Sequence, residues 1–373
     1  MKFLAYYLPQ FHPIPENDQW WGKGFTEWTN VKKAKPLFKE HQQPIVPGEL
    51  GYYDLLEDKS IQVKQANLAK EYGIDGFIYY QYWFGNGKML LQKPAEQMLQ
   101  NPAVDIPFCF CWANQTWQGI WHGLDRPGVI IEQQYPGKED YIAYFNYLLP
   151  FFKDKRYLKE QNMPVFHIFR LNDIPDLDVF IEVFQQLSIK NGFDGVYFVA
   201  TGNVDSPFVM ERNEIKGVVG LDFYIRLRYS QYFYFPEGSR FFKLENYWRR
   251  LTTKIFTEGE KQTKPLVLNY EAGIKKMPAK ILHHKYIPCV LPNWDNSPRS
   301  GIKSLVLKNA KPSLFEKYLL RFVEEYKTHV DNPPFFIIKS WNEWAEGNYL
   351  EPDKKFGNAW LKAVKTVRRI ANI

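Results

Sequence analysis

The chain has 373 residues, of which 45% are hydrophobic and 24% charged, and this ordinary balance excludes a disordered or fibrous protein. Its net charge is +7, but the basic residues are scattered and no binding motif accompanies them, which argues against a nucleic-acid partner. The charge predicts a solvated surface, with an acidic glycan or a lipid-pyrophosphate carrier as the less favoured explanation.

Cysteine usage and the first residues bear on compartment and cofactors. Cys109, Cys111 and Cys289 lie in apolar runs, and their odd, low number predicts reduced, buried thiols. No cluster of His, Cys or carboxylate residues has convincing ligand spacing, so we predict no metal and no other cofactor. The opening MKFLAYYLPQFH lacks the apolar core of a signal peptide, and no apolar stretch approaches the ~20 residues of a membrane span. These features predict a cytoplasmic protein without an integral membrane segment, or one trimmed from a precursor, and do not indicate its oligomeric state.

Short apolar runs predict eight strands in chain order. Each run is nearly continuous in apolar or aromatic residues, as a strand buried on both faces should be. The predicted strands are FLAYYL (3–8), DGFIYY (75–80), PFCFCW (107–112), PVFHIF (164–169), GVYFVA (195–200), VVGLDF (218–223), YIPCVL (286–291) and FFIIKS (335–340).

Helical periodicity occupies the intervals between several of these strands. Helices are predicted at 59–72, 176–190, 313–327 and 358–370, and Ser313 with Glu316 has the spacing of a capping box. The alternation of strand and helix predicts a single (β/α)8 barrel over residues 1–373, with 224–275 as an insertion after strand six. A doubly wound sheet is the alternative, but GNG at 85–87 lacks the third glycine of a phosphate-binding turn.

Functional side chains of such a barrel gather at the carboxyl ends of its strands. Many aromatic, amide and charged residues follow the predicted strand ends, and tryptophan faces stack on sugar rings while Asn, Asp and His bind hydroxyl groups. The predicted substrate-binding residues are His12, Trp20, Trp21, Glu27, Trp28, Tyr82, Trp83, Trp112, Asn114, Trp117, His167, Arg170, Trp294, Asp295, Trp341 and Asn342. The alternative is that the aromatic residues only close loops against the barrel and that His167 points into the barrel layers.

The strongest chemical signal is WNEWAEG, 341–347, directly after the eighth strand. Glu343 and Glu346 are three residues apart, and this spacing in a helical turn brings both side chains to one face. Neighbouring carboxylates push their pKa values apart, so that one stays charged while the other holds a proton near neutral pH. Cleavage of a glycosidic bond needs such a pair, which we predict to be catalytic. An exposed acidic turn is the structural alternative.

The same segment carries a family resemblance. NEWAEGNYLEP resembles the S-x-N-E-W-x-E-G-x-x-x-E-P segment of family 99 glycoside hydrolases, the endo-α-mannosidases and endo-α-mannanases. The opening YYLPQFHPIPENDQWWGKGFTEWTNV, together with YYQYWF and LPNWDN, looks like the WbsX-type proteins. Those are family-99-like proteins encoded among bacterial surface-polysaccharide genes and are often described as glycosyltransferases. The resemblance spans nearly the whole chain and thins across 224–275.

The resemblance implies a retaining mechanism in which the two glutamates have different roles. At the matching positions, Glu343 would assist the sugar's own 2-hydroxyl, which attacks the anomeric carbon to form a 1,2-anhydro sugar. Glu346 would serve as general acid and then as general base. Because this mechanism does not need carboxylates on opposite faces of the ring, it suits two glutamates that lie close together.

Three function classes are compatible with these features. The first is a glycoside hydrolase that acts on a bacterial surface polysaccharide or related glycan. The second is a glycosyltransferase or transglycosylase of O-antigen or capsule biosynthesis. Asp176-Leu177-Asp178 matches a metal-binding Asp-x-Asp, but the pair opens a helix, where acidic residues are favoured without a metal. The third is a non-catalytic glycan-binding barrel, which needs the aromatic residues but not both glutamates. The expected partner is an oligo- or polysaccharide in each class.

Overall fold

Eight parallel strands form the centre of the fold. The computed structural model describes residues 1–118, 128–202, 209, 211–220, 264–276, 284–330 and 333–373. The barrel strands are β1 (Lys2–Tyr7), β2 (Gly76–Trp83), β3 (Phe108–Trp112), β4 (Met163–Ile168), β5 (Tyr197–Gly202), β6 (Ile215–Gly220), β7 in two segments (Tyr286–Ile287 and Cys289–Val290) and β8 (Phe335–Ile338). Each strand pairs in parallel with the next, and β8 pairs with β1. The predicted barrel is therefore confirmed.

The barrel closes through β7, which the sequence predicted as one strand over 286–291. β6 pairs with the first segment of β7 and β8 pairs with the second. Pro288, between the segments, has no N–H to donate to the ladder. Its carbonyl nevertheless accepts the N–H of Ile337 at 2.9 Å. The interruption is therefore confined to one residue, and the sheet is a nearly closed barrel.

Helices surround the strands. They are α1 (Pro15–Trp21), α2 (Glu27–Lys33), α3 (Ser60–Glu71), α4 (Lys93–Gln100), α5 (Lys138–Lys153), α6 (Leu177–Lys190), α7 (Tyr270–Lys276), α8 (Ser297–Ser300), α9 (Pro312–His329) and α10 (Ala359–Ile370), with 3-10 turns at Leu171–Asp173, Gly301–Lys303 and Trp344–Glu346. All four predicted helices are confirmed, as α3, α6, α9 and α10. Among the described helices, none is both long and apolar enough to cross a membrane.

The start of α9 differs from its prediction. The helix begins at Pro312, and no side-chain hydrogen bond caps it. The capping box predicted from Ser313 and Glu316 was therefore wrong. Proline suits the first position of a helix because the N–H it lacks would have no partner inside the helix. With Ser313 as its cap the helix would begin at residue 314, so it starts two residues earlier than predicted.

Short strands lie outside the barrel, and one pair of them supports the candidate site. These strands are Met89–Leu90, Trp117–Gln118, Val129–Ile131, Lys159–Glu160, Leu266–Asn269, Leu305–Lys308, Asn342–Glu343 and Asn348–Tyr349. Leu266–Asn269 pairs in parallel with Leu305–Lys308. Leu307 also donates its N–H to the Trp294 carbonyl at 2.7 Å, so this small sheet supports the loop after β7. Leu266–Asn269 and most of α7 belong to the predicted insertion 224–275, of which residues 224–263 lie outside the described residues.

Two buried layers explain the apolar sequences of the strands. Successive side chains of a strand point to opposite faces, here into the barrel or towards the helices. Inside the barrel, Tyr6 stacks on Tyr80 with ring centroids 5.1 Å apart and meets His167 edge-on at 6.3 Å. Outside it, Trp112 packs on Tyr144 of α5 at 5.2 Å. Because both faces are covered, the strands are apolar almost throughout.

Candidate active site

The segment after β8 folds as a short hairpin. Asn342–Glu343 pairs antiparallel with Asn348–Tyr349, and the 3-10 turn Trp344–Glu346 joins the two. Gly347 ends this turn with a φ of +58°, and a Cβ there would lie 2.9 Å from the backbone nitrogen of Asp295. A side chain at 347 would therefore be strained and would also clash with the neighbouring loop. The glycine is what lets the hairpin pack against the loop after β7.

Both predicted catalytic glutamates reach the ammonium group of Lys339, which follows β8. Its Nζ lies 2.8 and 2.9 Å from the two carboxylate oxygens of Glu343 and 3.2 Å from Oε2 of Glu346. The side chains of Lys339, Glu343 and Glu346 are 12%, 5% and 17% exposed. The pair is therefore a largely buried cluster and not the exposed acidic turn that was the structural alternative.

Arg299 of α8 binds the other oxygen of Glu346. Its Nη1 donates to Oε1 of Glu346 at 2.7 Å, and its Nη2 donates to Oε1 of Glu27 at 2.6 Å. The same oxygen of Glu27 accepts the backbone N–H of Ala345 at 3.1 Å. A continuous network thus runs from α2 to the end of β8 and joins three carboxyl groups to two cations.

This arrangement separates the proton affinities of the two glutamates. Burial and the negative charge of Glu346 raise the pKa of Glu343 to about 8, against the lowering effect of Lys339. Burial alone would also raise the pKa of Glu346, but the charges of Lys339 and Arg299 hold it well below its ordinary value. A proton held by the pair is therefore favoured on Glu343, whose pKa is raised, over Glu346, whose pKa the two cations lower.

A third glutamate lies behind the turn. Glu351 is fully buried and accepts hydrogen bonds from the Trp344 indole at 2.6 Å, the Gln65 amide at 2.7 Å and the Tyr53 hydroxyl at 3.0 Å. No Lys or Arg of the described chain forms an ion pair with it. Burial raises the pKa of Glu351 to about 7 even though these donors lower it. Because Trp344 follows Glu343 directly, Glu351 anchors the turn that carries both glutamates.

Several predicted substrate-binding residues do lie at this cluster. Lys339 Nζ lies 5.3 Å from the centroid of the Trp294 ring, a cation–π distance. Tyr82 lies close enough for the charge of Glu343 to raise its pKa, second to burial as a cause, and Trp117 packs edge-on against it at 5.3 Å. Glu27 belongs to the cluster as well, but it is 1% exposed and bound to protein groups. Glu27 therefore holds Arg299 and the backbone of the turn, and its contact with a sugar stays a prediction.

Four predicted stacking residues are built into the protein core. They are Trp28, Trp83, Trp112 and Trp341, each no more than 3% exposed. Trp83, for example, stacks on Tyr144 at 4.8 Å and donates its indole N–H to Asp140 at 2.8 Å. These rings pack against other side chains, and their stacking on a sugar stays a prediction. The reason for this packing is that a residue at a strand end can point outwards, under a helix, as easily as into the barrel mouth.

Three predicted polar contacts are likewise occupied by protein partners. Asn342 binds the N–H and the carbonyl of Leu8 at 2.8 and 3.0 Å. Asp295 accepts hydrogen bonds from His41 at 2.8 Å and from Gln43 at 2.6 Å. Asn114 donates to the Arg170 carbonyl at 2.9 Å and accepts that residue's N–H at 2.8 Å. Asn342, Asp295 and Asn114 therefore fix the loops at the strand ends, and their contacts with a sugar stay predictions.

The two predicted histidines are covered. His12 is 1% exposed and His167 is fully buried. Burial lowers the pKa of His12 to about 4 and that of His167 to about 3, so both are neutral near pH 7. His167 points into the barrel layers beside Tyr6, which was the alternative to its predicted substrate contact.

The remaining predicted contacts are accessible. Trp20 is 36% exposed, Trp21 is half-buried and stacks on Phe25 at 4.8 Å, and Arg170 is exposed. Trp20 and Trp21 belong to α1, in the long loop between β1 and β2. These three residues retain accessible surface, and Trp294, which lies beside Lys339, is half-buried.

Sequence reasoning missed Lys339, Arg299 and Glu351. Lys339 is a single charge at the end of the apolar run FFIIKS. A charged residue is unusual in a strand that is buried on both faces, and this was the signal that could have indicated a role. Glu351 stood within the resembling segment NEWAEGNYLEP, without a role. Arg299 carried no local signal, because its partners come from two distant segments of the chain.

The Asp-x-Asp string does not form a metal site. Asp176 accepts the hydroxyl of Tyr141 and precedes α6, while Asp178 pairs with Arg212 at 2.5 Å. No group of three or more potential metal ligands occurs among the described residues. Both carboxylates are engaged by protein groups, as expected for acidic residues at a helix start.

Comparison with known families identifies the protein group. A family model described as glycosyltransferase WbsX matches residues 3–364. The chain belongs to the WbsX family. Two relatives, the WxcX proteins of two strains of Xanthomonas campestris pv. campestris, are each 33% identical to this chain over 364 residues. The match covers 97% of this chain and 49% of each relative, so the chain spans about half the length of these curated relatives.

Solved structures show the same fold. The GH99 endo-α-mannosidase of Bacteroides thetaiotaomicron, in complex with bis-tris-propane, is 14% identical with a TM-score of 0.55, over 99% of this chain and 97% of that one. A glycoside hydrolase-like protein is 12% identical with a TM-score of 0.58, over 98% and 93% of the two chains. At these identities the likeness establishes the fold alone. The comparisons therefore establish the WbsX family and the barrel fold of this chain.

Proposed function

We propose that this chain breaks a glycosidic bond with retention of configuration, with Glu343 and Glu346 as its catalytic carboxylates and an oligo- or polysaccharide of the bacterial surface as substrate. The observation that carries the proposal is the geometry of the pair. Glu343 and Glu346 lie in one largely buried cluster and share the ammonium of Lys339, whereas Arg299 binds Glu346 alone of the two, so their proton affinities differ as acid–base catalysis at a glycosidic bond requires. A glycan-binding barrel without activity has no use for this arrangement.

The family resemblance assigns the roles of the two glutamates. In the mechanism that it implies, Glu343 as a carboxylate accepts the proton of the sugar's 2-hydroxyl, and Glu346 donates a proton to the leaving oxygen. In the free chain the cation network favours the opposite distribution, because Lys339 and Arg299 both stabilise the ionised form of Glu346. Both carboxyl groups contact the ammonium of Lys339, so a bound glycan that displaces part of this network would let the proton pass to Glu346. Substrate binding would then prepare the acid.

Product analysis tests the proposal. The chain is incubated with lipopolysaccharide or capsular glycan fragments, and the products are separated and sized. New reducing ends at shortened fragments, absent with Glu343→Gln and with Glu346→Gln, are expected for hydrolysis. Unchanged glycans across a broad panel, with a folded protein that still binds them, would favour the non-catalytic barrel.

Sugar transfer is the second candidate, and the family description favours it. The same glutamate pair can transfer a sugar if a glycan hydroxyl, instead of water, opens the intermediate. An extended glycan in the product analysis indicates transfer. Because the Asp-x-Asp carboxylates are engaged by protein groups, neither reaction should depend on a divalent ion. Activity that a chelator abolishes and a divalent ion restores would contradict this expectation.

A further inference from the structure

Arg299 connects two carboxyl groups that come from opposite ends of the chain. Its guanidinium binds Glu346 at 2.7 Å and Glu27 at 2.6 Å, and its side chain is only 14% exposed. We propose that Arg299, anchored by Glu27, is a positioning residue that holds the Glu346 carboxyl group in the free enzyme and favours its ionised form over that of Glu343. The inference rests on the proposed function for its meaning in catalysis, but its test needs no substrate.

Arg299, rather than Lys339, creates the difference between the two glutamates. Lys339 serves both of them, with its Nζ 2.8 Å from Glu343 and 3.2 Å from Glu346. A cation shared in this way lowers the pKa of both carboxyl groups. Arg299 donates a hydrogen bond to Glu346 and none to Glu343. A charge-assisted hydrogen bond made to one partner alone stabilises the ionised form of that partner.

Glu27 holds Arg299 in this position. Glu27 is buried at the start of α2, and one of its carboxylate oxygens binds both the guanidinium and the backbone N–H of Ala345. Ala345 is the residue directly before Glu346. The arginine and the backbone of the turn are therefore fixed to the same atom. A substitution at Glu27 should loosen the hold of Arg299 on Glu346 without removing either.

The surroundings of Glu346 contain few other charges. The groups that face it are Lys339 from the end of β8, Arg299 from α8 and Glu343 on its own hairpin, with Glu27 of α2 behind the arginine. Tyr80 and Tyr82 of β2 are near enough to interact with the glutamate charges, but burial raises the pKa of each and keeps them neutral. Without Arg299, one cation would remain for three carboxyl groups, and the proton would no longer be confined to Glu343.

Carboxyl titration tests the inference directly. The chain is labelled with 13C at the glutamate side-chain carboxyl, and the Glu343 and Glu346 signals are assigned with the Gln variants. In the unaltered chain, Glu346 should stay ionised to the acid limit of folding. In Arg299→Gln its pKa should rise by at least about one pH unit, a tenfold gain in proton affinity. Arg299→Lys should restore part of the effect, and Arg369→Gln, on the exposed face of α10, should have none.

Each outcome of this titration decides the question. An unchanged Glu346 signal in folded Arg299→Gln would overturn the inference. If that variant does not fold, Glu27→Gln, which keeps an acceptor for Ala345, should still raise the pKa of Glu346 by a smaller amount, and no shift there would overturn it equally. An Arg299-dependent titration in a chain that cleaves no glycan would contradict the proposed function and leave the role of Arg299 intact.

Discussion

Trp344 donates its indole N–H to the buried carboxylate of Glu351 across 2.6 Å, and this bond ties the turn of the two catalytic candidates to the body of the barrel. The indole also stacks on Tyr349 with ring centroids 4.0 Å apart. Glu351 has three hydrogen-bond donors around it and no cation among the described residues. A charge held in this way is costly, because hydrogen bonds compensate only part of the loss of water.

Glu351→Gln should therefore change how stability depends on pH. The pKa of Glu351 is raised from its ordinary value to about 7, so its folded form favours the neutral carboxyl. The neutral Glu351 carboxyl contributes roughly 3 kcal/mol to the free energy of unfolding at pH values below the pKa of this group in the unfolded chain. This contribution is lost as the pH rises to about 7. Glu351→Gln does not titrate, so its stability does not change with pH in this way. The amide has one hydrogen-bond acceptor fewer than the carboxyl group, which costs about 1–3 kcal/mol at pH 5. Urea unfolding at pH 5 and pH 8 should show the variant less stable at pH 5, with the gap smaller or reversed at pH 8. Equal gaps at both pH values would contradict the assignment.

Leaving groups should distinguish Glu346→Gln from Glu343→Gln. Each substitution should lower turnover at least ~10²-fold on the natural glycan, the low end for a positioned acid or base. Rescue of Glu346→Gln by a synthetic glycoside with an acidic leaving group is expected, because that bond needs little protonation. Glu343→Gln should be rescued far less. Comparison of kcat/KM for activated and unactivated glycosides provides the measurement. The reverse pattern would make Glu343, which holds the proton in the free chain, the donor during catalysis too.

Tryptophan substitutions should separate sugar contacts from core packing. Trp21 is half-buried on α1, whereas Trp112 is 1% exposed between β3 and its helices. Trp21→Ala should weaken glycan binding and leave the melting temperature nearly unchanged. Trp112→Ala, the matched control, should reduce the free energy of unfolding by about 3–5 kcal/mol, as large-to-small changes in a core do. Calorimetric titration with glycan fragments and thermal unfolding would measure both. A destabilised Trp21→Ala with unchanged affinity would show that Trp21 is structural.

His167 should limit stability in acid. Burial lowers its pKa to about 3 in the folded chain, below the ordinary value of 6.5. The folded form therefore favours neutral imidazole, and stability is lost as pH falls from 6.5 towards 3. The loss at pH 5 should be about 2 kcal/mol, at 1.36 kcal/mol for each pH unit. His167→Leu should not lose stability in this way. Between pH 6.5 and pH 5, its free energy of unfolding in urea should therefore rise relative to that of the unaltered chain. An unchanged difference would show that His167 becomes charged without cost.

Much of the architecture could be predicted because it depends on local pattern. A parallel strand buried on both faces must be apolar throughout, and a helix beside it must be apolar on one stripe. The order of strands and helices can therefore be predicted from the pattern of apolar residues. The pairing of the two glutamates with each other was predictable for a similar reason. They are three residues apart in one turn, and their contact needs no distant segment.

Tertiary structure decided which side chains belong to the site. Period-two alternation fixes only that neighbouring residues of a strand face opposite ways, and not which of them faces the barrel axis. Trp83 and Tyr82 are adjacent in sequence, yet Tyr82 lies by Glu343 while Trp83 packs under α5. The proton distribution was also invisible in the sequence. It depends on Arg299, which is 47 residues from Glu346 and 272 from Glu27, and only folding brings these charges within 3 Å of one another in a site with little water.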